Sequence, residues 1–517
     1  MGGMAHTERG DDVGEAARGT GSELVREHAP THPLDRVANR PGHVYRGHVF
    51  HIAGSPRVQD ADAHLVAITD GAVAVGADGR IAWVGQWRDL PVEYASWRVT
   101  RAGFVLPGFV DAHAHFPQTY SQAAHGGGQL LEWLEQCIFP AEARLADPAF
   151  AELVAHDFVA RRIATGTTAA MVFGSAFPAA QDALYRTSLA AGLRTVSGRG
   201  IQTVGPPAAA PLITSERDAV DLTAREIARW HGSGSDGRSA LVQVAIVPRF
   251  SLSTTAHTLA ALGELYASVK DQGVYVHTHL SENNRAGTGE IAAVLGTYGV
   301  ERYLDTYDGR FLPGSRRGGE SLLGRRTIMA HAVHCHDDEL ARMLDAGTSV
   351  AHCPTSQLFL GSGTMPWRRT VSSGVTVAMG TDVGAGDEWS IPGVLAASYG
   401  VHLSEPGEES VAIAPAELLF SGTLAGARAL DCEGVFGNLD VGKDADLVLV
   451  DPTRVHALDM TLRYGIRAED EATAQRQTLF ALLLGLHEAA ISGVVVRGRR
   501  LEPAVDPAVG LAESGAA

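Results

Sequence analysis

A His-x-His pair, His113 and His115, ends one of the short apolar runs of the chain. On a β-strand, residues two positions apart point to the same face, so this spacing brings two imidazoles to one point. His279 and Asp382 close two further apolar runs. Three imidazoles and one carboxylate suit Zn²⁺ or Fe²⁺ better than Ca²⁺ or Mg²⁺, which prefer oxygen ligands. We therefore predict one divalent transition metal held by His113, His115, His279 and Asp382. Zn²⁺ is the first choice for this metal and Fe²⁺ the second.

Other polar residues at the ends of apolar runs could act beside such a metal. Glu282 follows His279 by three positions, so it can leave the strand, reach over the metal and serve as a proton shuttle. His331 could be a fifth ligand or could hydrogen-bond the metal-bound hydroxide, and we predict the second role. His277 forms a second His-x-His pair with His279, and we choose His279 as the ligand because Glu282 lies on its side. His352 could stand behind the ligands or be structural.

These residues belong to a series of short apolar runs that alternate with helical stretches. Eight strands are predicted, at 104–113, 167–173, 193–201, 241–250, 274–280, 327–333, 348–354 and 375–382. The helical stretches include 149–166 and 257–273. The apolar runs alone would also fit an open doubly wound sheet. Polar residues at the ends of six of the runs favour a (β/α)₈ TIM-like barrel, in which catalytic groups converge on the carboxyl face of the strands.

β-like runs with turn residues flank this middle region on both sides. Residues 43–104 and 436–503 are predicted to form one composite small domain, a β-sandwich built from both chain ends. Residues 105–435 are predicted to form the metal-dependent catalytic barrel. Residues 1–42, which show no periodicity, are expected to be a disordered or loose N-terminal arm, and 504–517 a C-terminal tail.

Size, charge and cysteine pattern exclude several classes of protein. The chain of 517 residues carries 42 Lys+Arg against 59 Asp+Glu, a net charge of −17, which argues against nucleic-acid and membrane partners. No apolar run has the length of about 18 residues that a membrane span needs, and the first residues lack the order of a signal peptide. We expect a cytoplasmic protein with reduced thiols, because its four cysteines show no CxxC spacing: Cys137, Cys335, Cys353 and Cys432.

Several motifs extend beyond the candidate ligands. They are PGFVDAHAHFPQ (107–118), QLLEWLEQCIFPAEARLADPAFA (129–151), ATGTTAAMVF (164–173), PRFSLS (248–253), THLSEN (278–283), MAHAVH (329–334), VAHCPTSQLFLGSG (350–363) and GTDVGAG (380–386). With them, roughly 105–435 resembles the amidohydrolase superfamily and, within it, the guanine deaminases. His-x-His with HxxE and GTD points to the superfamily, and the FP-x-E-x-R-x-ADP stretch with PRF points to the guanine deaminases.

The resemblance implies hydrolytic deamination of guanine to xanthine and ammonia by a hydroxide on one metal. It implies that Glu282, His331 and Asp382 are catalytic. It implies that the substrate, a purine or related aminated heterocycle, is contacted by Gln118, Arg249, Phe250, His279, Glu282 and Asp382. Dinuclear members of the superfamily bridge two metals with a carboxylated lysine on the fourth strand, whereas the lysines here, Lys270 and Lys443, lie elsewhere. The resemblance therefore implies a mononuclear site, and a homodimer.

Three segments depart from the pattern of the guanine deaminases. They are 197–212 at the third strand, 387–389 after the GTD motif, and a Gly- and Arg-rich stretch at 308–321. This last stretch could be a lid, an oligomer contact or a neutral surface loop, and we predict the neutral loop. The first two keep open a second hypothesis, in which the ring is a pterin, an azapurine or a modified guanine. A third hypothesis is a non-catalytic amidohydrolase-like scaffold, which loss of metal ligands would support, and no candidate ligand is lost.

Overall fold

Strands and helices alternate through the middle of the chain, and further strands flank it on both sides. The computed structural model describes residues 42–126, 128–234, 240–285, 289–313 and 319–502. In chain order the strands are β1 (His43–Ile52), β2 (Leu65–Val75), β3 (Ile81–Gln86), β4 (Arg98–Pro107), β5 (Phe109–His115), β6 (Thr167–Phe173), β7 (Arg194–Gly198), β8 (Gly200–Ile201), β9 (Val242–Pro248), β10 (Tyr275–Leu280), β11 (Thr327–His331), β12 (Ser349–His352), β13 (Val377–Met379), β14 (Leu447–Val450), β15 (Ile491–Val496) and β16 (Arg499–Leu501).

The α-helices lie mostly between the strands of the middle region. In chain order they are α1 (Leu130–Trp133), α2 (Phe139–Ala143), α3 (Pro148–Ala164), α4 (Pro178–Ala191), α5 (Glu216–Trp230), α6 (Ala256–Val269), α7 (Glu290–Tyr298), α8 (Asp337–Ala346), α9 (Pro354–Phe359), α10 (Trp367–Ser372), α11 (Ile391–Leu403), α12 (Pro415–Gly422), α13 (Leu424–Ala429), α14 (His456–Met460) and α15 (Glu471–Gly485). A π-helical turn, Leu134–Ile138, joins α1 to α2, and we call the resulting segment 130–143 the helical arm.

The strands of the middle region form one parallel sheet that closes on itself. Its order is β5-β6-β7-β9-β10-β11-β12-β13, with β8 pairing beside β9. Each of the eight runs predicted as strands overlaps one of these elements. Beyond β13, the backbone amide of Asp382 donates to the carbonyl of His113 on β5 over 2.8 Å, which joins the two edges. The predicted (β/α)₈ barrel is confirmed.

Strands from both chain ends form the second sheet. Its order is β16-β15-β14-β4-β1-β2-β3, so β4 from the N-terminal part pairs with β14 from the C-terminal part. The single strand predicted at 104–113 is therefore wrong, because β4 ends in this sheet and β5 begins in the barrel. The chain changes sheets at Gly108, where a Cβ would lie 2.1 Å from Oγ1 of Thr168. The run is apolar from 104 to 110 because both strands are buried there.

The small sheet buries apolar side chains on both faces, as alternation along its strands requires. Tyr45 and Val73 belong to a core on one face. Val44 and Ala72, one position away on each strand, pack with Trp83 on the other. The domain boundaries at 104 and 436 stay predictions, and the predicted arm, except Gly42, and the predicted tail lie outside the described residues. Among the described helices, none combines the length and apolarity needed to cross a bilayer.

A buried carboxylate links the two edges of the barrel. Asp111, 3% exposed, accepts hydrogen bonds at Oδ1 from the backbone amides of His113 and Thr381, both over 3.1 Å. Its Oδ2 accepts from Oγ1 of Thr381 over 2.6 Å. Burial raises the pKa of Asp111 to about 6, against the hydrogen bonds from Thr381 and His113, which lower it. Asp111 thus ties β5 to the segment after β13, and so places His113 next to Asp382.

We predict that Asp111→Ala destabilises the protein by on the order of 3 kcal/mol, because it leaves buried donors of Thr381 and His113 without their acceptor. The apparent Tm, followed by circular dichroism, should fall by several degrees. Asp89→Ala is the matched control, since the side chain of Asp89 is 64% exposed, and it should leave the Tm unchanged. Equal Tm values for the two variants would contradict the role of Asp111.

Candidate metal centre and active site

Four of the predicted residues converge at the carboxyl ends of the barrel strands. Nε2 of His115 lies 3.2 Å from Nε2 of His113 and 3.2 Å from Nε2 of His279. Oδ1 of Asp382 lies 3.1 Å from Nε2 of both His113 and His115. Around a tetrahedral zinc ion with ligands at 2.0–2.1 Å, ligand atoms are about 3.3 Å apart. The distances among these four residues therefore fit a single ion.

His331 stands at the edge of this cluster. Ligand atoms of His331, His113, His279 and Asp382 lie within 4.8 Å of one another, so these four residues also form a set that could hold an ion. Nε2 of His331 is 3.8 Å from Oδ2 of Asp382 and 3.4 Å from Oε2 of Glu282. Nε2 of His331 is thus farther from the carboxylate of Asp382 than Nε2 of His113 or His115, which lie 3.1 Å from it. The role predicted for His331, a hydrogen bond to a group on the ion, stays a prediction.

Hydrogen bonds to backbone carbonyls fix the tautomers of two histidines of the cluster. Nδ1 of His277 donates to the carbonyl of Ile328 over 2.9 Å, since a carbonyl can only accept. Nε2 of His277 is then an acceptor, and Nδ1 of His113 donates to it over 2.7 Å. Nδ1 of His279 likewise donates to the carbonyl of Arg249 over 2.6 Å. His113 and His279 therefore present unprotonated Nε2 atoms to the cluster, whereas both ring nitrogens of His277 are engaged by protein atoms. The choice of His279 over His277 as a metal ligand stays a prediction.

The electrostatics of the site separate the roles of its two carboxyl groups. Burial acts to raise the pKa of Asp382, but the imidazoles of His113 and His115 outweigh it and hold the pKa well below its usual range. Burial, reinforced by neighbouring carboxylates, raises the pKa of Glu282 well above its usual range. Burial lowers the pKa of His331 to about 3. The two carboxyl groups therefore differ in kind: Asp382 carries a negative charge that suits a cation, whereas Glu282 takes up a proton more easily than an exposed glutamate does.

Backbone strain also marks the site. His331, Asp382 and Ser281 have φ values of 75°, 51° and 48°, in the left-handed region that few residues other than glycine adopt. Residues held in such conformations often cluster at active sites, where the surrounding structure imposes them. The strain coincides with the places where the chain leaves β10, β11 and β13, next to the candidate ligands.

A pocket opens over the cluster and combines apolar walls with a few polar groups. It is lined by His115, Gln118, Leu130, Trp133, Leu134, Arg249, Phe250, His279, Glu282, Glu290, Leu360, Asp382 and Ala385. Every residue predicted to contact substrate is in this lining, and the helical arm supplies the apolar wall. An apolar slot with few oriented polar groups is typical of sites for flat organic ligands.

Two buried glutamates of the site escaped the sequence predictions. Glu142 of the helical arm accepts from Gln118 and Arg249. Glu290, at the start of α7, accepts at Oε2 from the backbone amides of Glu282 and Asn283, both over 3.1 Å, and so holds the segment that carries Glu282. Neither glutamate follows a barrel strand directly, so their positions in the sequence do not mark them as part of the site. The FPAE motif around Glu142 was the available clue.

Two of the three departures from the family pattern, 197–212 and 387–389, lie outside the pocket wall. From 197–212, Ala209 and Leu212 pack behind Phe250 and Trp133. From 387–389, Glu388 accepts from the backbone amide of Ser390 at the start of α11. Of the described residues in these two segments, none lines the pocket.

Two predicted features remain, the stretch 308–321 and His352. In 308–321, Asp308 and Ser321 form an isolated β-bridge, and 314–318 lie outside the described residues. His352 packs away from the cluster, with its Nε2 2.9 Å from Nε2 of His402. The role of 308–321 as a neutral loop stays a prediction.

The fold and the site define a class, and the sequence comparison agrees with it. Residues 104–501 match the amidohydrolase family, and the chain belongs to this family of metal-dependent enzymes. It is 38% identical over 473 residues to a probable guanine deaminase of Deinococcus radiodurans, covering 89% of this chain and 99% of that protein. It is 31% identical over 437 residues to the guanine deaminase of Escherichia coli, covering 84% and 91%. The crystal structure of guanine deaminase from Bradyrhizobium japonicum superposes with a TM-score of 0.78 at 28% identity, covering 90% and 99% of the two chains.

We predict that His277→Phe weakens metal binding by about 10- to 100-fold, because the ring of His113 loses the acceptor that fixes its tautomer. Metal content after purification, and competition against a chelator, measure the effect. His402→Phe removes another buried imidazole, one that contacts His352, and should retain the affinity of the unaltered protein. Unchanged metal affinity in His277→Phe would show that the hydrogen bond has no supporting role.

Proposed function

We propose that this protein hydrolyses guanine to xanthine and ammonia in the pocket above the histidine cluster. The observation that carries the proposal is the composition of that pocket, in which Gln118, Arg249 and Phe250 face a cluster of potential metal ligands with Glu282 beside it. The relatives in D. radiodurans and E. coli, matched over nearly their whole length, support guanine as the ring.

The ligand set of this proposal is His113, His115, His279 and Asp382, holding one divalent ion, Zn²⁺ before Fe²⁺. When bound, such an ion lowers the pKa of a coordinated water towards about 7 and so supplies a nucleophile at neutral pH. A second ion would need a bridging group, and the only lysines of the chain, Lys270 and Lys443, lie after α6 and before β14. One ion per chain is therefore our proposal.

Glu282 is the proton carrier of the proposed reaction. It is 2% exposed, and its Oε1 has no hydrogen-bond partner within the part of the chain that the structure describes. Its raised pKa lets it accept a proton from the attacking water and pass it to the ring nitrogen next to the aminated carbon. His331 and Asp382 flank Glu282 and orient the water. The added hydroxyl group then gives its proton to the amine through Glu282. The C–N bond breaks, ammonia leaves, and the ring carries a carbonyl in its place.

The other side of the pocket holds the ring. The guanidinium group of Arg249 is a charged donor fork, suited to a carbonyl oxygen of the purine. Gln118 contacts the same edge, and Phe250, 6% exposed, packs against the ring face. The apolar walls of the pocket include Trp133 and Leu134. We extend the proposal to a role in purine metabolism, to the cytoplasm, where four free cysteines are stable, and to the homodimer that the family resemblance implies.

The deciding experiment measures ammonia release by the metal-loaded protein from guanine, a pterin, an azapurine and other aminopurines. Guanine should be the best substrate by kcat/KM. Ammonia release from a pterin or an azapurine but not from guanine would show that the substrate is that other ring. If the purified protein holds no transition metal and reconstitution adds no activity, the protein is a non-catalytic scaffold and the proposal fails.

We predict that Glu282→Gln keeps the metal but lowers kcat by about 10²- to 10⁴-fold, because it removes the proton carrier and not a ligand. Metal content and steady-state kinetics with guanine are measured together. Glu301→Gln makes the same change at an exposed glutamate. It is the control, and its kcat should match that of the unaltered enzyme. A near-normal kcat for Glu282→Gln would refute its role.

A further inference from the structure

Glu142 connects the two polar groups that face the substrate. Its Oε1 accepts from Nε2 of Gln118 over 2.9 Å, and its Oε2 accepts from Nη1 of Arg249 over 2.6 Å. The three residues are 5%, 2% and 3% exposed, so water does not screen these contacts. The guanidinium of Arg249 also lies over the rings of Phe139 and Phe173, at 5.2 and 5.6 Å from the ring centres.

The carboxylate fixes which atoms remain for a ligand. Because Glu142 can only accept, Nε2 of Gln118 donates to it. The same Nε2 lies 3.2 Å from Nδ1 of His115, so Oε1 is left as the free group of that amide. A Cβ on Gly384 would lie 2.1 Å from this Oε1, so a residue without a side chain leaves the room that the oxygen needs. Nη1 of Arg249 is engaged, while its other guanidinium nitrogens have no protein partner among the described residues.

The negative charge of Glu142 also offsets the positive charge that the guanidinium of Arg249 presents to the pocket. An unpaired guanidinium at 3% exposure would attract an anionic ring strongly, since the attraction between charges grows as water is excluded. This matters because deamination replaces an amine by a carbonyl. Xanthine, with two ring carbonyls, loses a proton more easily than guanine and is partly anionic near neutral pH. A bare Arg249 would therefore retain the product.

We propose that Glu142 is a positioning residue that makes the pocket select a neutral, carbonyl-bearing aminopurine over its more acidic oxo product, through its contacts with Gln118 and Arg249. The proposal rests on the proposed function, and it deepens that function by assigning to one carboxylate both substrate preference and product release.

Binding of two product-like rings tests the proposal without turnover. Calorimetry on the metal-loaded protein compares xanthine, which is partly anionic, with hypoxanthine, which stays neutral. The unaltered protein should bind hypoxanthine more tightly than xanthine. Glu142→Gln should shift the ratio of the two Kd values towards xanthine by about tenfold or more, and should raise the KM for guanine. A loss of both affinities by the same factor would mean a merely structural role and would overturn the proposal.

Two further variants separate charge from geometry and from general effects. Glu142→Asp keeps the charge but shortens the side chain, so it should retain the xanthine-to-hypoxanthine ratio while the KM for guanine rises. Glu132→Gln, on the same helical arm and 49% exposed at its side chain, should change neither. If Glu142→Gln does not fold, tighter binding of xanthine than of hypoxanthine by the unaltered protein overturns the proposal. If the protein does not deaminate guanine but the Kd ratios follow this pattern, only the proposed function fails.

Discussion

The hydrogen bonds of Asp111 to Thr381 close the barrel where its first strand meets the segment after its last. More than half of the chain lies between these two residues, so ordering that loop carries a large entropic cost before any site exists. The closure is what sets Asp382 beside His113 and His115, because the amide of Asp382 also bonds the carbonyl of His113. Without it, the histidines of β5 would face the barrel with no carboxylate to complete a cation site.

Hydrogen bonds between neighbouring strands then orient the histidine rings of the cluster. A carbonyl of β11 orients His277 of β10, and His277 orients His113 of β5. The carbonyl of Arg249, after β9, orients His279. Burying so many polar groups is unfavourable unless each finds a partner. The candidate ligands therefore form a network across the barrel, in which Arg249 both orients His279 and lines the pocket.

Much of this arrangement was readable from the sequence, and the reasons are physical. Strand ends in a parallel barrel converge. Polar residues that close apolar runs, such as His279 and Asp382, could therefore be predicted to lie together. The split between β4 and β5 was not readable, since two buried strands joined by Gly108 make one continuous apolar run. Glu142 was missed because a short helix outside the barrel has no fixed register with the strands. Spacing could not separate His277 from His279, because their difference lies in what the rings contact.

The left-handed backbone at His331 and Asp382 has an evolutionary consequence. Conformations of this kind cost on the order of 1–3 kcal/mol each and persist only where the rest of the fold enforces them. Glycine would adopt the same φ values without that cost. Selection for thermal stability alone would thus favour glycine at these two positions, at the expense of two side chains of the candidate metal centre. The barrel keeps its chemistry only while selection acts on turnover as well as on durability.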